Sequence, residues 1–303
     1  MNLGKLVDEQ NSFALLDAAL DAGINFIDTA DVYGGIGARG RTEEIIGRWM
    51  AHGGGRREKI VLATKLYGKM GEVQNARGLS AFHIRQACEG SLRRLQTDHI
   101  DLYQMHHVDR ATPWAEIWQA MDQLIQSGKV IYTGSSNFAA WNIVQAQYKA
   151  HERNLAGIVS EQSLYNLANR MIELEVIPAC RALGIGLLPW SPLAEGLLAG
   201  ILGGGIGVRK QTEIVQKQLA RVRKQVQDYE AFCSSSGREP ESVALAWLLK
   251  NPIVSSVIIG PRSIDQLNGM IEGMKVSLHE NDMTTLNSIW PGPGGEAPEA
   301  YAW

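Results

Sequence analysis

Cysteine is scarce in this chain of 303 residues: Cys88, Cys180 and Cys233 are odd in number, widely spaced and set within helix-like patterns. That usage argues against a disulfide framework or a zinc site and fits reduced thiols in a cytosolic setting. Also missing is any apolar run long enough to span a bilayer, and Met1-Asn2-Leu3-Gly4-Lys5 has no charged segment leading into an apolar core. The expectation is a cytoplasmic protein with no membrane partner. No block of one charge sign occurs: 29 Lys and Arg stand against 32 Asp and Glu, a net charge of -3, so there is neither a basic stripe for nucleic acid nor an acidic tail. Small-molecule chemistry without a metal is what remains.

What the chain does have is a recurrence of short apolar runs, each closed by a polar residue. Ile24-Asn25-Phe26-Ile27 precedes Asp28, Ile60-Val61-Leu62-Ala63-Thr64 precedes Lys65, and Ile100-Asp101-Leu102-Tyr103-Gln104-Met105 precedes His106. Each run reads as a largely buried strand. Helix-like stretches at Thr42–Met50 and His83–Leu95 lie between them, so the strands should run parallel and finish on one face, where their polar ends converge. Four further runs extend the series: Val130–Gly134, Ile158–Gln162, Ile185–Trp190 and Ser256–Gly260. Seven strands alternating with helices predict a single α/β domain, a (β/α)8 TIM barrel over residues 1–303, with 291–303 as a tail.

The strand ends make chemical sense as a set. Asp28 lies five residues before Tyr33, so one loop can present a carboxylate and a phenol together. A phenol has an unperturbed pKa of about 10 and donates a proton poorly near neutrality unless a cation stabilises its phenolate. Lys65 can be that cation, and Asp28 can keep its buried ammonium charged and oriented. Tyr33 would then protonate a carbonyl oxygen as hydride reaches the carbon, with His106 orienting or polarising that oxygen. Taken singly, Asp28 reads equally as a loop cap, Lys65 as a salt-bridge partner and His106 as a strand cap.

The segments Asp28-Thr29-Ala30-Asp31-Val32-Tyr33-Gly34, Ala63-Thr64-Lys65, Ile100–His106 and Gly134-Ser135-Ser136-Asn137-Phe138 together resemble the aldo-keto reductase family. Gln162-Ser163-Leu164-Tyr165-Asn166, Pro189-Trp190-Ser191-Pro192-Leu193 and Val257-Ile258-Ile259-Gly260 extend the resemblance over almost the whole chain. It implies that Asp28, Tyr33, Lys65 and His106 hold the catalytic tetrad positions, with His106 favoured over the adjacent His107. It further implies Ser136, Asn137 and Gln162 at a nicotinamide carboxamide, Trp190 on the nicotinamide face, and Ser191, Leu193 and Gly196 along the pyrophosphate. Arg262 and Ser263, following Gly260 of the cofactor-binding set, fall where the family often holds the adenosine 2′-phosphate, which suits a guanidinium and favours NADPH over NADH. Gln266 matches an adenine-side position, while Met270 stands where relatives frequently carry asparagine.

An apparent dinucleotide fingerprint, Gly35-Ile36-Gly37-Ala38-Arg39-Gly40, is a false lead, because the preceding strand already ends near Asp28 and a Rossmann turn would follow its strand directly. Barrels instead commonly bind phosphate after the seventh and eighth strands, here Trp190–Gly196 and Gly260–Gln266. By the resemblance, Met1–Gly4 is the end of the first barrel strand, which leaves that strand truncated and a seam that a longer start, another segment or a second copy in a homo-oligomer would close. Gly200–Gly207 with Arg209 and Lys210 reads as a solvated loop, and the helical stretches Gln211–Ser235 and Pro240–Lys250 as packing around the barrel. Residues 291–303 lack periodicity and read as a flexible tail, which the resemblance would lay partly over the active-site mouth; Trp114 and Trp303 are pocket-lining candidates. The leading expectation is NADPH-dependent reduction of an aldehyde or ketone. A non-catalytic or regulatory nucleotide-binding barrel is the alternative, and a Schiff-base lyase acting through Lys65 is a third reading.

Overall fold

A computed structural model describes residues 2–35, 37–203 and 213–302. Its elements alternate strand and helix from the first strand to the sixth, after which only helices follow, and the described residues group into two compact units.

The first unit comprises Met1–Gln162, Ala182–Ile185 and Gly260–Leu267. It carries five strands, β1 (Phe26–Asp28), β2 (Val61–Leu66), β3 (Ile100–Met105), β4 (Val130–Ser136) and β5 (Ile158–Gln162), each pairing in parallel with the next in chain order. The strands form where runs of β-branched and aliphatic residues are covered on both faces; in β2 every residue after Val61 is buried. Between them run α2 (Arg41–Ala51), α3 (Ala81–Leu95), α4 (Trp114–Gln126) and α5 (Ala140–His151), preceded by α1 (Glu9–Asp21). Asp8 caps α1 by accepting from Asn11 N at 2.9 Å, and Ser80 caps α3 from His83 N at 3.3 Å.

Each helix buries one stripe: Ile45, Ile46, Trp49 and Met50 of α2, Ile84, Cys88, Leu92 and Leu95 of α3, and Ile117, Trp118, Met121 and Leu124 of α4. Their spacing of three and four residues is the helical period, and each large apolar side chain so buried contributes roughly 1.5–3 kcal/mol. Close packing of α2 requires a missing side chain: a Cβ on Gly47 would lie 2.2 Å from the Arg94 carbonyl oxygen of α3. Before α1, residues 2–7 form a turn in which Leu3 bridges Val7 and Asn2 Nδ2 donates to Gly260 O at 2.7 Å.

The second unit comprises Ser163–Arg181, Gly186–Ile259 and Asn268–Trp303. A core of Tyr165, Leu187, Leu198, Val226, Tyr229, Trp247, Leu286 and Trp290, among others, holds it together. The sixth expected strand shrinks to β6 (Gly186–Leu187) and the seventh, Ser256–Gly260, is no strand among the described residues. Isolated parallel bridges, Leu187 to Val254 and Trp190 to Ile258, replace them. Pro189 and Pro192 explain part of the shortfall, since proline cannot donate to a ladder.

Helix α6 (Val176–Leu183) precedes β6, and α7 (Glu213–Ser235), α8 (Pro240–Leu249), α9 (Ile264–Gly273) and α10 (Glu280–Ile289) follow it. The glycine-rich loop from Gly204 onward, with Arg209 and Lys210, lies outside the described residues, as do Ile36 and Trp303. The tail is more ordered than its composition predicts. It ends in α11 (Glu299–Ala302), with Ala297 N bonded to Leu174 O at 2.9 Å and Glu296 paired with Arg181 at 2.7 Å. Cys88, Cys180 and Cys233 are buried and joined by no disulfide among the described residues, and burial pushes the thiols of Cys88 and Cys233 up to about 12. Among the described residues no helix is long and apolar enough to cross a membrane, and no cluster of three metal-ligating side chains occurs.

Candidate functional site

Strand register assembles the site. Lys65 of β2 stands opposite Gln104 of β3, Gln104 opposite Gly134 of β4, and Gly134 opposite Ser160 of β5. Because side chains alternate along a strand, these four positions share one face of the sheet, and Ser136 and Gln162 two residues further on share it too. Asp28 ends β1 and His106 follows β3, so carboxylate, ammonium and imidazole meet at one end of the sheet.

Lys65 has no solvent exposure, and its Nζ donates to Asp28 Oδ2 at 2.5 Å and to the Thr29 carbonyl at 2.9 Å. Burial opposes its charge, but Asp28 first and then Tyr33 outweigh burial and carry the Lys65 pKa above its ordinary value. The same Nζ sits 5.2 Å from the centroid of the Tyr33 ring, and Tyr33 meets His106 edge to face at 5.8 Å. Burial raises the Tyr33 phenol pKa and Lys65 opposes that rise. His106 is driven the other way, to about 3, by burial and then by the Lys65 and His107 charges. It is therefore a neutral imidazole at physiological pH, stacked on His107 at 5.4 Å with 8° between the rings.

Asp28 has more partners than the chain pattern indicated. Its Oδ1 accepts from both Gln104 Nε2 and Gln162 Nε2, each at 3.0 Å. Gln104 was missed by sequence reasoning, although its place one residue before Met105, on the inward phase set by His106, was the available signal. Asp31 was also passed over. It is fully buried between Asp28 and Tyr33 in sequence, neither carboxylate oxygen has a side-chain partner among the described residues, and burial followed by the Glu43 charge raises its pKa to about 8. Glu43, also buried, takes Thr64 Oγ1 at 2.6 Å and Arg94 Nε at 2.7 Å.

Around these side chains, Ser136 Oγ donates to Gln162 O at 2.8 Å, and Asn137 Nδ2 to Ser136 Oγ at 2.8 Å and to His106 O at 3.4 Å. Asn137 holds φ at +59°, a left-handed conformation that asparagine tolerates better than most residues. Trp114 packs on Phe138 at 6.1 Å, adjoining this group.

In a separate segment of the same unit, Ser263 Oγ accepts from Gln266 N at 3.2 Å, and Gln266 Oε1 accepts from Arg262 N at 2.9 Å, at the start of α9. Gly260 here receives the Asn2 amide. Trp190, Ser191, Leu193 and Gly196 belong to the second unit. Trp190 N bonds to Ser163 O at 3.0 Å, Asn166 Nδ2 to Ser191 O at 2.9 Å, and Gly196 N to Leu193 O at 2.8 Å. Positive φ at Ser191, Ala194 and Glu195 marks this turn as strained, while Gly196 takes such a φ freely. Met270 is buried in α9.

A profile of the aldo/keto reductase family matches residues 1–291. The chain belongs to the aldo/keto reductase family. Its fold is accordingly of the TIM-barrel class, and the parallel β/α repeats of the first unit are part of that barrel. The chain is 50% identical, over 100% of its length and 94% of the relative's, to a Bacillus subtilis (strain 168) protein named uncharacterized oxidoreductase YrpG. It is 36% identical, over 91% of its length and 84% of the relative's, to a probable voltage-gated potassium channel subunit beta of Oryza sativa subsp. japonica. It is 32% identical, over 93% and 88%, to versiconal hemiacetal acetate reductase of Aspergillus parasiticus. Membership and these relatives support an oxidoreductase of carbonyl compounds.

Proposed function

We propose that this aldo/keto reductase uses NADPH to reduce an aldehyde or ketone, with Tyr33 as general acid. The observation that carries the reading is the placement of a buried ammonium, Lys65, 5.2 Å from the Tyr33 ring and bonded to Asp28, beside a neutral His106. Protonating a carbonyl oxygen leaves a phenolate, and Lys65 is the cation positioned to stabilise it. Asp28 keeps Lys65 charged, while His106, being neutral, can donate an N–H to the same oxygen without adding a second positive charge. A lysine held protonated in this way is a poor amine nucleophile, which favours acid catalysis over a Schiff-base role.

The cofactor assignment rests on donor chemistry. Ser136, Asn137 and Gln162 offer the mixed donors and acceptors a carboxamide requires, next to the tetrad. Arg262 and the exposed Ser263 open α9, where a guanidinium, a hydroxyl and a helix N-terminus suit a phosphate. Ser191, Leu193 and Gly196 would follow the pyrophosphate, Trp190 would cover one nicotinamide face, and Gly260 and Gln266 would bound the adenosine end. When bound, the reduced nicotinamide supplies the hydride. The test is NADPH consumption with a panel of aromatic aldehydes, ketones and ketosugars, comparing wild type with Tyr33→Phe. Loss of at least about a hundredfold in kcat is expected, and unchanged turnover would remove Tyr33 as the acid.

A regulatory nucleotide-binding barrel is the second reading, favoured by the likeness to relatives named as channel beta subunits. Tight NADPH binding with no turnover of any carbonyl compound would select it.

A further inference from the structure

We propose that Gln104 is a positioning residue of the reductase site: its side-chain amide orients Asp28 so that one carboxylate oxygen is kept for Lys65. The inference rests on the reductase reading given above and deepens it.

Three donors converge on Asp28. Lys65 takes Oδ2, while Gln104 and Gln162 share Oδ1 at 3.0 Å each. Gln162 also donates to Gln104 Oε1 at 3.4 Å, so the two amides brace one another. The donors on Oδ1 are neutral, and they fix the carboxylate's rotation without competing with Lys65 for charge. Gln162 is the amide assigned to the nicotinamide carboxamide; when it serves that group, Gln104 remains as the amide on Asp28. Gln104 has no solvent exposure, so its amide would carry a desolvation penalty if left unpaired.

The neighbouring strand leaves room beside this side chain. A Cβ on Gly134 would lie 2.7 Å from Ser160 Oγ, 3.1 Å from Gln104 Cγ and 3.2 Å from Leu102 Cδ1. The glycine is explained by the room these three side chains share, Ser160 above all, since its backbone does not take a positive φ. The ionisable groups around the amide are Asp28 of β1 and Lys65 of β2, and beyond them Tyr33 and His106. From β4 and β5 the facing residues are Gly134 and Ser160, which do not titrate near neutrality. Glu161 lies on the alternate phase of β5, bonded to Ser135 Oγ and Phe138 N.

Gln104→Met and Gln104→Glu test the role. The Met variant keeps the volume but donates nothing to Asp28, and its kcat should fall about tenfold or more at every pH with KM for the carbonyl compound within about twofold. In Gln104→Glu, two carboxyls at hydrogen-bond distance cannot both ionise readily, so the introduced group holds a proton and its O–H replaces the amide donor. That variant should approach wild-type kcat near pH 5 and fall toward the Met variant by about pH 8. A cofactor-free readout accompanies it. The introduced carboxyl has a folded-state pKa above its unfolded value, so its stabilising effect is complete below the unfolded pKa and is lost as pH rises through the folded one. The melting temperature of Gln104→Glu relative to wild type should therefore drop between pH 5 and pH 8. If Gln104→Glu follows the wild-type pH dependence in melting, or if Gln104→Met keeps kcat within twofold, the role is overturned. Should wild type reduce no carbonyl compound at all, the reductase reading fails, and the melting comparison alone decides whether Gln104 donates to Asp28.

Discussion

Lys65 and Asp28 form a buried ion pair, 2.5 Å between Nζ and Oδ2, joining two strands that are neighbours in the sheet. Neither group is there for stability alone: a buried pair returns little net free energy, because desolvating both ions offsets most of their attraction. Removing one partner is another matter. Lys65→Met should destabilise the fold by about 3–5 kcal/mol, and Lys65→Met combined with Asp28→Asn by clearly less than the sum of the two single changes. Urea denaturation of the four proteins in the cycle measures this. Additive losses would mean that the pair is not coupled.

His106 should stay neutral well below the usual histidine range. Its folded pKa of about 3 lies under the unfolded value, so acid favours the unfolded chain, which takes up the proton first. Stability from this group is intact above about pH 6.5 and is lost as pH falls toward 3. His106→Gln should lose less stability than wild type between pH 7 and pH 4.5, by about 2 kcal/mol. Denaturant midpoints at the two pH values provide the comparison, and direct NMR titration of the ring should show no protonation above pH 5.

Asp31 carries the opposite sign. Its pKa of about 8 exceeds the unfolded carboxylate value, so the folded protein keeps a proton there at neutrality; the stabilising effect is complete below about pH 4 and is lost steadily as pH rises from there to 8. Asp31→Asn copies the neutral acid without the ability to ionise. It should melt above wild type near pH 9, and the gap should narrow by pH 6 and close toward pH 4. A gap independent of pH would show that Asp31 is already ionised at neutrality.

Gly47 offers a test of packing against propensity. Alanine in a helix is favoured over glycine by about 1 kcal/mol. Here, however, the added Cβ would meet the Arg94 carbonyl oxygen at 2.2 Å and Leu95 backbone at 2.8 Å, so α2 and α3 would have to separate. Overpacking of that kind costs about 1–3 kcal/mol or more, and Gly47→Ala should be destabilising in chemical denaturation despite the propensity gain.

Arg262 decides the cofactor preference in the proposed function. Arg262→Ala should weaken NADPH binding at least about tenfold while changing NADH binding little, since only the former carries the 2′-phosphate that a guanidinium can chelate. Fluorescence titration of both nucleotides reads it, and equal losses would place the 2′-phosphate elsewhere.

The strands most legible in the chain were those buried on both faces. Ile100–Met105 and Ile158–Gln162 stand at their expected bounds, and Val130 and Ile158 open their strands as expected. Ile185–Trp190 and Ser256–Gly260 were overread: Pro189 has no N–H to give a ladder, and the second run, with Val257, Ile258 and Ile259 only partly buried, pairs through the isolated bridge of Ile258 to Trp190. The tail was underread for a related reason. Its contacts, Ala297 with Leu174 and Glu296 with Arg181, are long-range and leave no periodic trace in composition.

By itself, the sequence determined the alternation of strand and helix and the placement of Asp28, Lys65 and His106 at strand ends, because side-chain periodicity and burial are local properties of the chain. Only the tertiary structure decided what those residues touch. That Gln104 reaches Asp28, that Gly134 leaves room beside Gln104 and Ser160, and that Asp31 is sealed without a side-chain partner among the described residues all follow from strand register and packing between segments far apart in the chain, and no local pattern encodes a distance of that kind.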